Sequence, residues 1–231
     1  MKKFMLITLL VAWGILSFAQ GIYNNGAYIV STSGSYWVVD NDDFTLTSTS
    51  ATNLAQMDNL VIMGDASLAL DASAASSHLT VSGDLTVNSG GSLTVESTAN
   101  GTGSLIVGGT PTGNVTVERY LTANKWHYIS AQTNITGNFS TLNMGFTGGA
   151  GNDQFYYWDE SYEDDGITGY WIDILNGNGG GSLMSSMGFE DCKGYAITYK
   201  NDPETLSLTG VPYDEGQNIN LSLTLASNHP G

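Results

Sequence analysis

Carboxylates crowd at one place in this chain: Asp159, Glu160, Glu163, Asp164 and Asp165 fall within "DESYEDDG", and Asp153 stands shortly before them. Several carboxylates and backbone carbonyls in a pliant loop are what calcium takes as its six to eight oxygens. The spacing does not follow the EF-hand pattern. Gly148 to Tyr156, "GGAGNDQFY", does fit the nonapeptide G-G-x-G-x-D-x-U-x, in which calcium is held between stacked turns. One copy of that pattern supplies half of each site, and neither "NGGGSLMSS" nor "GGSLTVES" keeps the Asp. Calcium is therefore the one cofactor these residues could hold, through Asp153, Asp159, Glu160, Glu163, Asp164 and Asp165; the alternative is a solvated connection. A glycosidase pair needs two carboxylates whose pKa values are driven apart, usually in a cleft, and an open loop does not provide that.

The aromatic residues offer a different chemistry. Strand alternation puts Phe155 and Tyr157 on one face of "DQFYYWDE" and Tyr156 and Trp158 on the other. In "TGYWIDIL" it separates Tyr170, Ile172 and Ile174 from Trp171 and Asp173. If the more apolar faces form the core, Trp158, Trp171 and Tyr156 stand outside as a stacking platform for sugar rings. The alternative is that a second sheet or a loop covers both faces. Other catalytic readings find no residues. There is no Gly-x-Ser-x-Gly elbow, His127 lies mid-strand, and Cys192 with His78, His127 and His229 gives no zinc spacing. "GNGGGSLMSS" lacks the Lys-Ser/Thr of a phosphate loop. No catalytic group is assigned in the segment.

These residues must be positioned by strands, and the strands come in two textures. Up to about residue 118, apolar-x-apolar triplets recur between small polar residues: Leu60–Ile62, Leu68–Leu70, Leu79–Val81, Leu85–Val87, Leu93–Val95, Leu105–Val107 and Val115–Val117. Each puts two apolar side chains on one face of a short strand. Two successive strands with their turns occupy roughly 14 to 22 residues, the size of a coil whose inward side chains are buried only by its neighbours. This predicts a short parallel β-solenoid-like region over 20–118, with an antiparallel meander as the rival. From residue 119 to 231 the strands are longer and aromatic, as in "KWHYIS", "KGYAITYK" and "ETLSLTG", and "NINLSLTLAS" alternates cleanly. That texture predicts a β-sandwich of jelly-roll type. The fold class is all-β; Thr52 to Leu60 is the one stretch that could hold a single helical turn.

Charge and the N-terminus bound the setting. Lys2 and Lys3 precede an apolar run from Phe4 to Phe18, and Ser17-Phe18-Ala19 supplies small residues for a signal peptidase. Residues 1–19 read as a secretory signal, the alternative being an uncleaved anchor. Without Lys2 and Lys3 the chain has 22 acidic residues against four basic ones, a net charge of −18. Four scattered cations cannot neutralise a run of phosphates, which excludes nucleic acid and disfavours anionic membranes. After cleavage no stretch is long and apolar enough to insert in a membrane, so the chain is expected outside the cell or on the outer-membrane surface. A single cysteine excludes an intrachain disulfide.

"GNVTVERYL", "KWHYIS", "KGYAITY", "LSLTG" and "NHPG", in that order over Gly113 to Gly231, resemble the landmarks of large exported Bacteroidetes proteins carried by the type IX secretion system. The family has Ser-Pro after its Trp-His strand where this chain reads Ser130-Ala131-Gln132. It continues into a Trp-Asn-Leu segment where this chain reads His229-Pro230-Gly231. The resemblance implies an N-terminal fragment with an incomplete sandwich, in a secreted, adhesin-like surface protein that spaces other modules or contacts glycans or surface proteins. The rival it leaves open is the accessory region of an exported hydrolase whose catalytic domain lies further on.

Overall fold

The computed structural model describes residues 29–30, 34–40, 43–47, 54–73, 76–142, 144–146, 153–164, 167–177, 181–190 and 193–213, with backbone alone for 29–30, 54, 160–164 and 167–169. The proposed signal, Cys192, His229, Asp165, most of the glycine nonapeptide and "NINLSLTLAS" lie outside the described residues. Every regular element described is a β-strand.

The first half winds in circuits of three short strands. They are β1 (Ile29–Val30), β2 (Tyr36–Val39) and β3 (Asp43–Leu46); β4 (Leu54–Met57), β5 (Asn59–Ile62) and β6 (Ser67–Leu70); β7 (His78–Val81), β8 (Leu85–Val87) and β9 (Ser92–Val95); and β10 (Ser104–Val107), β11 (Pro111–Thr112) and β12 (Val115–Leu121). Like members stack in parallel, giving the orders β1-β4-β7-β10, β2-β5-β8-β11 and β3-β6-β9-β12. The step from a residue to its partner is 23 at Tyr36↔Asn59, 25 at Leu60↔Leu85, 26 at His78↔Ser104 and 22 at Thr94↔Thr116. All seven apolar triplets lie in these strands. The expected circuit of two strands is corrected to three, because the sequence marks where strands occur and not which of them stack. The meander is corrected too: the pairings of β1 to β12 with one another are parallel. Nor do the described residues after Thr52 form a helical turn. Leu54–Met57 is β4, held between β1 and β7, where Ala55 and Met57 are both buried.

Alternation sends Leu60, Ile62, Leu70, Leu79, Val81 and Leu85 into one core, each with no more than a trace of exposed surface. A fully buried Leu or Ile contributes about 1.5–3 kcal/mol relative to exposure. Polar corner residues tie each circuit to the next. The Asp84 amide donates to Asn59 Oδ1 at 2.9 Å, and the Thr110 amide donates to Asp84 Oδ1 at 2.9 Å. The corner before β12 requires glycine: Gly113 has φ +86°, and a Cβ there would lie 2.0 Å from the Val87 carbonyl oxygen.

The chain then passes into β13 (His127–Ile129), β14 (Thr133–Asn134), β15 (Gln154–Asp164), β16 (Ile167–Asp173), β17 (Tyr195–Thr198) and β18 (Glu204–Pro212). β12 runs without a break through residues 118 and 119. Its Val115 and Val117 belong to the first core and its Leu121 to a second. β18 pairs antiparallel with all of β12, so the sheet order becomes β14-β18-β12-β9-β6-β3. A separate antiparallel sheet has the order β13-β17-β15-β16. The second core takes Leu121, Leu206 and Leu208 from the first of these sheets and Phe155, Tyr195 and Ile197 from the other, with Phe139 and Phe189 from the connections. Phe139 meets Phe155, Phe189 and Tyr195 edge-on at 4.9, 5.0 and 5.7 Å between ring centroids.

Candidate functional site

The four-stranded antiparallel sheet has one face on the second core and one face outside. Register places Tyr128 opposite Ala196, Ala196 opposite Tyr156, and Tyr156 opposite Asp173, all on the outer face. One step along, Trp158 lies opposite Trp171 on the same face. Trp126, just before β13, joins them. The inner face carries Phe155, Ile172, Tyr195 and Ile197, all buried. The separation expected from alternation in β15 and β16 is the one observed.

Five aromatic side chains thus stand on the outer face with much of their surface open: Tyr128 is 78% exposed, Trp126 51%, and Trp158 and Trp171 each 42%, while Tyr156 is half-buried. They are not independent. The ring of Trp126 lies 5.8 Å from that of Tyr156, Tyr128 lies 6.4 Å from Trp171, and Trp171 lies 5.6 Å from Trp158 at 73°. β13 and β15 are separated by β17, so rings from β13 can reach those of β15 and β16 only by leaning across it. Ala196, whose side chain ends at Cβ, leaves room for this. The result is a groove of about 250 Å³ lined by Trp126, Tyr128, Tyr156 and Trp171, with Ala196 as its floor.

Polar groups at this site are few. The amide of Gln154 lies 3.4 Å from the Tyr156 hydroxyl. Burial, and then the charge of Asp173, push the Tyr156 phenol above its ordinary range, so it stays a neutral donor and acceptor. Asp173 is itself held, accepting from the Leu175 amide at 2.9 Å and from Asn176 Nδ2 at 2.8 Å. Behind the sheet, burial raises the Tyr195 hydroxyl to about 12; that hydroxyl accepts from the Glu190 amide at 3.0 Å and donates to the Gly188 carbonyl at 3.2 Å, which holds the inner face in place.

Among the described residues, the carboxylates singled out from the sequence do not share one loop. Asp153 precedes β15, and its Oδ1 accepts from the Lys200 amide at 3.0 Å. Asp159 lies six positions further along one extended strand, on the order of 20 Å away. Glu160, Glu163 and Asp164 continue β15, with Glu163 paired to Thr168 and Asp164 to Ile167, and the register shifts between Asp159 and Glu163. The expected loop from Asp159 is therefore strand up to Asp164. Pairing with β16 overrides the weak strand preference of acidic residues. Among the described residues no group of three His, Cys, Asp or Glu side chains is placed to hold a metal ion. His127 Nε2 is engaged with the Thr122 carbonyl at 3.0 Å, in keeping with a structural histidine.

Carboxylates do stack at one corner of the first half, where Asp71, Glu96 and Glu118 follow one another on successive circuits. Burial and the charges of Asp71 and Glu118 raise Glu96 above the usual carboxylate range. Burial acts against Asp71 as well, but hydrogen bonds from Ser73, Thr47 and Glu96 outweigh it and hold Asp71 low. Of the two, Glu96 is the one that takes up a proton first as the pH falls.

Trp126, Tyr128 and Ala196 were not among the residues singled out from the sequence. "KWHYIS" does show the alternation that puts Trp126 and Tyr128 on one face. What it lacks is any sign that β13 lies one strand away from β15. Comparison with protein-family models, curated proteins and solved structures returns no match for this chain.

Proposed function

We propose that this chain is an exported, non-catalytic surface module in which a parallel β-solenoid carries a jelly-roll-type β-sandwich, and that the outer aromatic face of the sandwich binds glycans. The observation that carries the reading is the groove of Trp126, Tyr128, Tyr156 and Trp171 over Ala196. Aromatic rings with open faces, few polar groups and a rigid sheet beneath them suit pyranose rings, whose C–H faces stack on aromatic rings while their hydroxyls seek partners at the edge. Four stacked circuits of three parallel strands support the solenoid, and one core between two antiparallel ladders supports the sandwich. Export rests on Lys2, Lys3 and the apolar run to Phe18, and the acidic surface suits a protein that stays dispersed outside the cell. The type IX route and an adhesin-like role rest on the order of the motifs from Gly113 onward.

A glycan array probed with the wild-type chain and with Tyr128→Ala tests the reading. Binding of a defined set of glycans that is lost in the variant supports it. A folded wild-type protein that binds none of them refutes it.

A further inference from the structure

Resting on the glycan reading above, we propose that the groove takes a single uncharged polysaccharide chain laid across the strands, and neither the flat face of an insoluble polymer nor an anionic glycan. Three observations carry this.

The rings do not form one plane. Trp126 and Tyr156 are inclined at 54°, Tyr128 and Trp171 at 40°, and Trp171 and Trp158 at 73°. A crystalline surface offers its sugars in one plane and needs coplanar rings to meet it. Inclined rings around a depressed floor instead fit a chain whose successive units turn relative to one another, each meeting its own ring.

The direction of the groove follows from register. Tyr128, Ala196 and Tyr156 form one row across β13, β17 and β15, and Trp171 adds β16. The rings of Tyr128 and Trp171 lean in from the two outermost strands to 6.4 Å between centroids, so the groove of about 250 Å³ encloses one or two units of the chain at a time. Along the strands the groove is limited to neighbouring rows on the outer face, so a chain lies across the sheet.

Charge decides the class of sugar. None of the groove-lining residues is charged, and the carboxylate of Asp173 stands opposite Tyr156 in the same row. The whole chain carries a net charge of −16. A uronate or sulfate brought into the groove loses hydration without gaining a cation from its lining, whereas a neutral hydroxyl can use the Tyr156 hydroxyl and the Gln154 amide.

Native gel electrophoresis through hydroxyethylcellulose, galactomannan, polygalacturonate or dextran sulfate tests the inference, together with pull-down on microcrystalline cellulose and crystalline chitin. At least one neutral soluble polysaccharide is expected to retard the wild-type chain, the anionic ones are not, and the crystalline polymers do not deplete it. Affinity for oligosaccharides of the retarding polymer should rise up to about the disaccharide and then level off. Ala196→Leu fills the floor and Tyr128→Ala removes a wall; each is expected to weaken retardation about tenfold or more. Tyr128 is so exposed that its variant keeps the fold if the leucine variant does not. Depletion on a crystalline polymer, or preference for an anionic chain, overturns this inference and leaves glycan binding standing. Failure of every polysaccharide to bind a folded protein overturns both, as does a dimer measured by light scattering that Tyr128→Ala dissociates in place of any sugar effect.

Discussion

Trp171→Ala and Trp158→Ala form a matched pair, because the two indoles are equally exposed and face each other across β15 and β16, yet only Trp171 lines the groove. Each has 42% of its surface exposed, so 58% is buried. For a side chain of about 250 Å² that is roughly 145 Å², of which the alanine retains a part, leaving about 100 Å² lost. At about 25 cal/mol per Å², and reduced because unfolded chains already bury some surface, the cost is about 2 kcal/mol for either variant. Thermal unfolding should therefore show both melting roughly 4–8 °C below wild type. Binding should separate them. Trp171 offers a face to a sugar, and losing about 1.4 kcal/mol of stacking is about a tenfold loss of affinity. Trp158 only buttresses Trp171, edge-on at 5.6 Å, so its removal should cost less than about threefold. Titration calorimetry with the polysaccharide that most retards the wild-type chain measures both. Equal losses of affinity, or an intact affinity in Trp171→Ala, would refute the assignment of Trp171 as a groove wall.

Three further outcomes follow from the packing. Leu85→Ala empties a fully buried position in β8, between β5 and β11, and should lower stability by about 2–5 kcal/mol in denaturant unfolding without altering glycan affinity. Gly113→Ala drives a Cβ against the Val87 carbonyl at a positive φ and should destabilise more than an ordinary surface alanine, by about 1–3 kcal/mol. Glu96→Gln tests the carboxylate stack. The folded protein raises the pKa of Glu96, so the folded state binds the proton more tightly and this group favours folding less as pH rises through that raised pKa. The glutamine should therefore stabilise the protein at pH 7, and its advantage should shrink as the pH is lowered into the carboxylate range; an advantage that grows on acidification would contradict the stack.

Much of the local structure was legible without coordinates. Every apolar-x-apolar triplet from Leu60 to Val117 is a strand, because two inward side chains separated by one outward residue have only an extended chain to serve them. Phe155 and Tyr157 separate from Tyr156 and Trp158 by the same rule. Reading failed where pairing decides. Leu54–Met57 carries too little pattern to identify alone and becomes a strand between β1 and β7. Asp159 to Asp164, polar and flanked by glycine, reads as a loop and is extended by its ladder with β16. The calcium reading drew Asp153 and Asp159 together because they are near in sequence, and a straight strand holds them apart.

The sequence by itself determined that the described elements are β-strands, that the chain is strongly acidic with a single cysteine, and which face of β15 and β16 turns outward. Those properties depend on composition and on a period of two, which any chain carries within a few residues. Only the tertiary structure decided that three strands complete a circuit and that β18 returns to pair with β12. It alone brought Trp126 and Tyr128 over Ala196 to meet Tyr156 and Trp171. Strand order and register come from contacts between residues tens of positions apart, and the size of one alanine in β17 matters only once its neighbours are known.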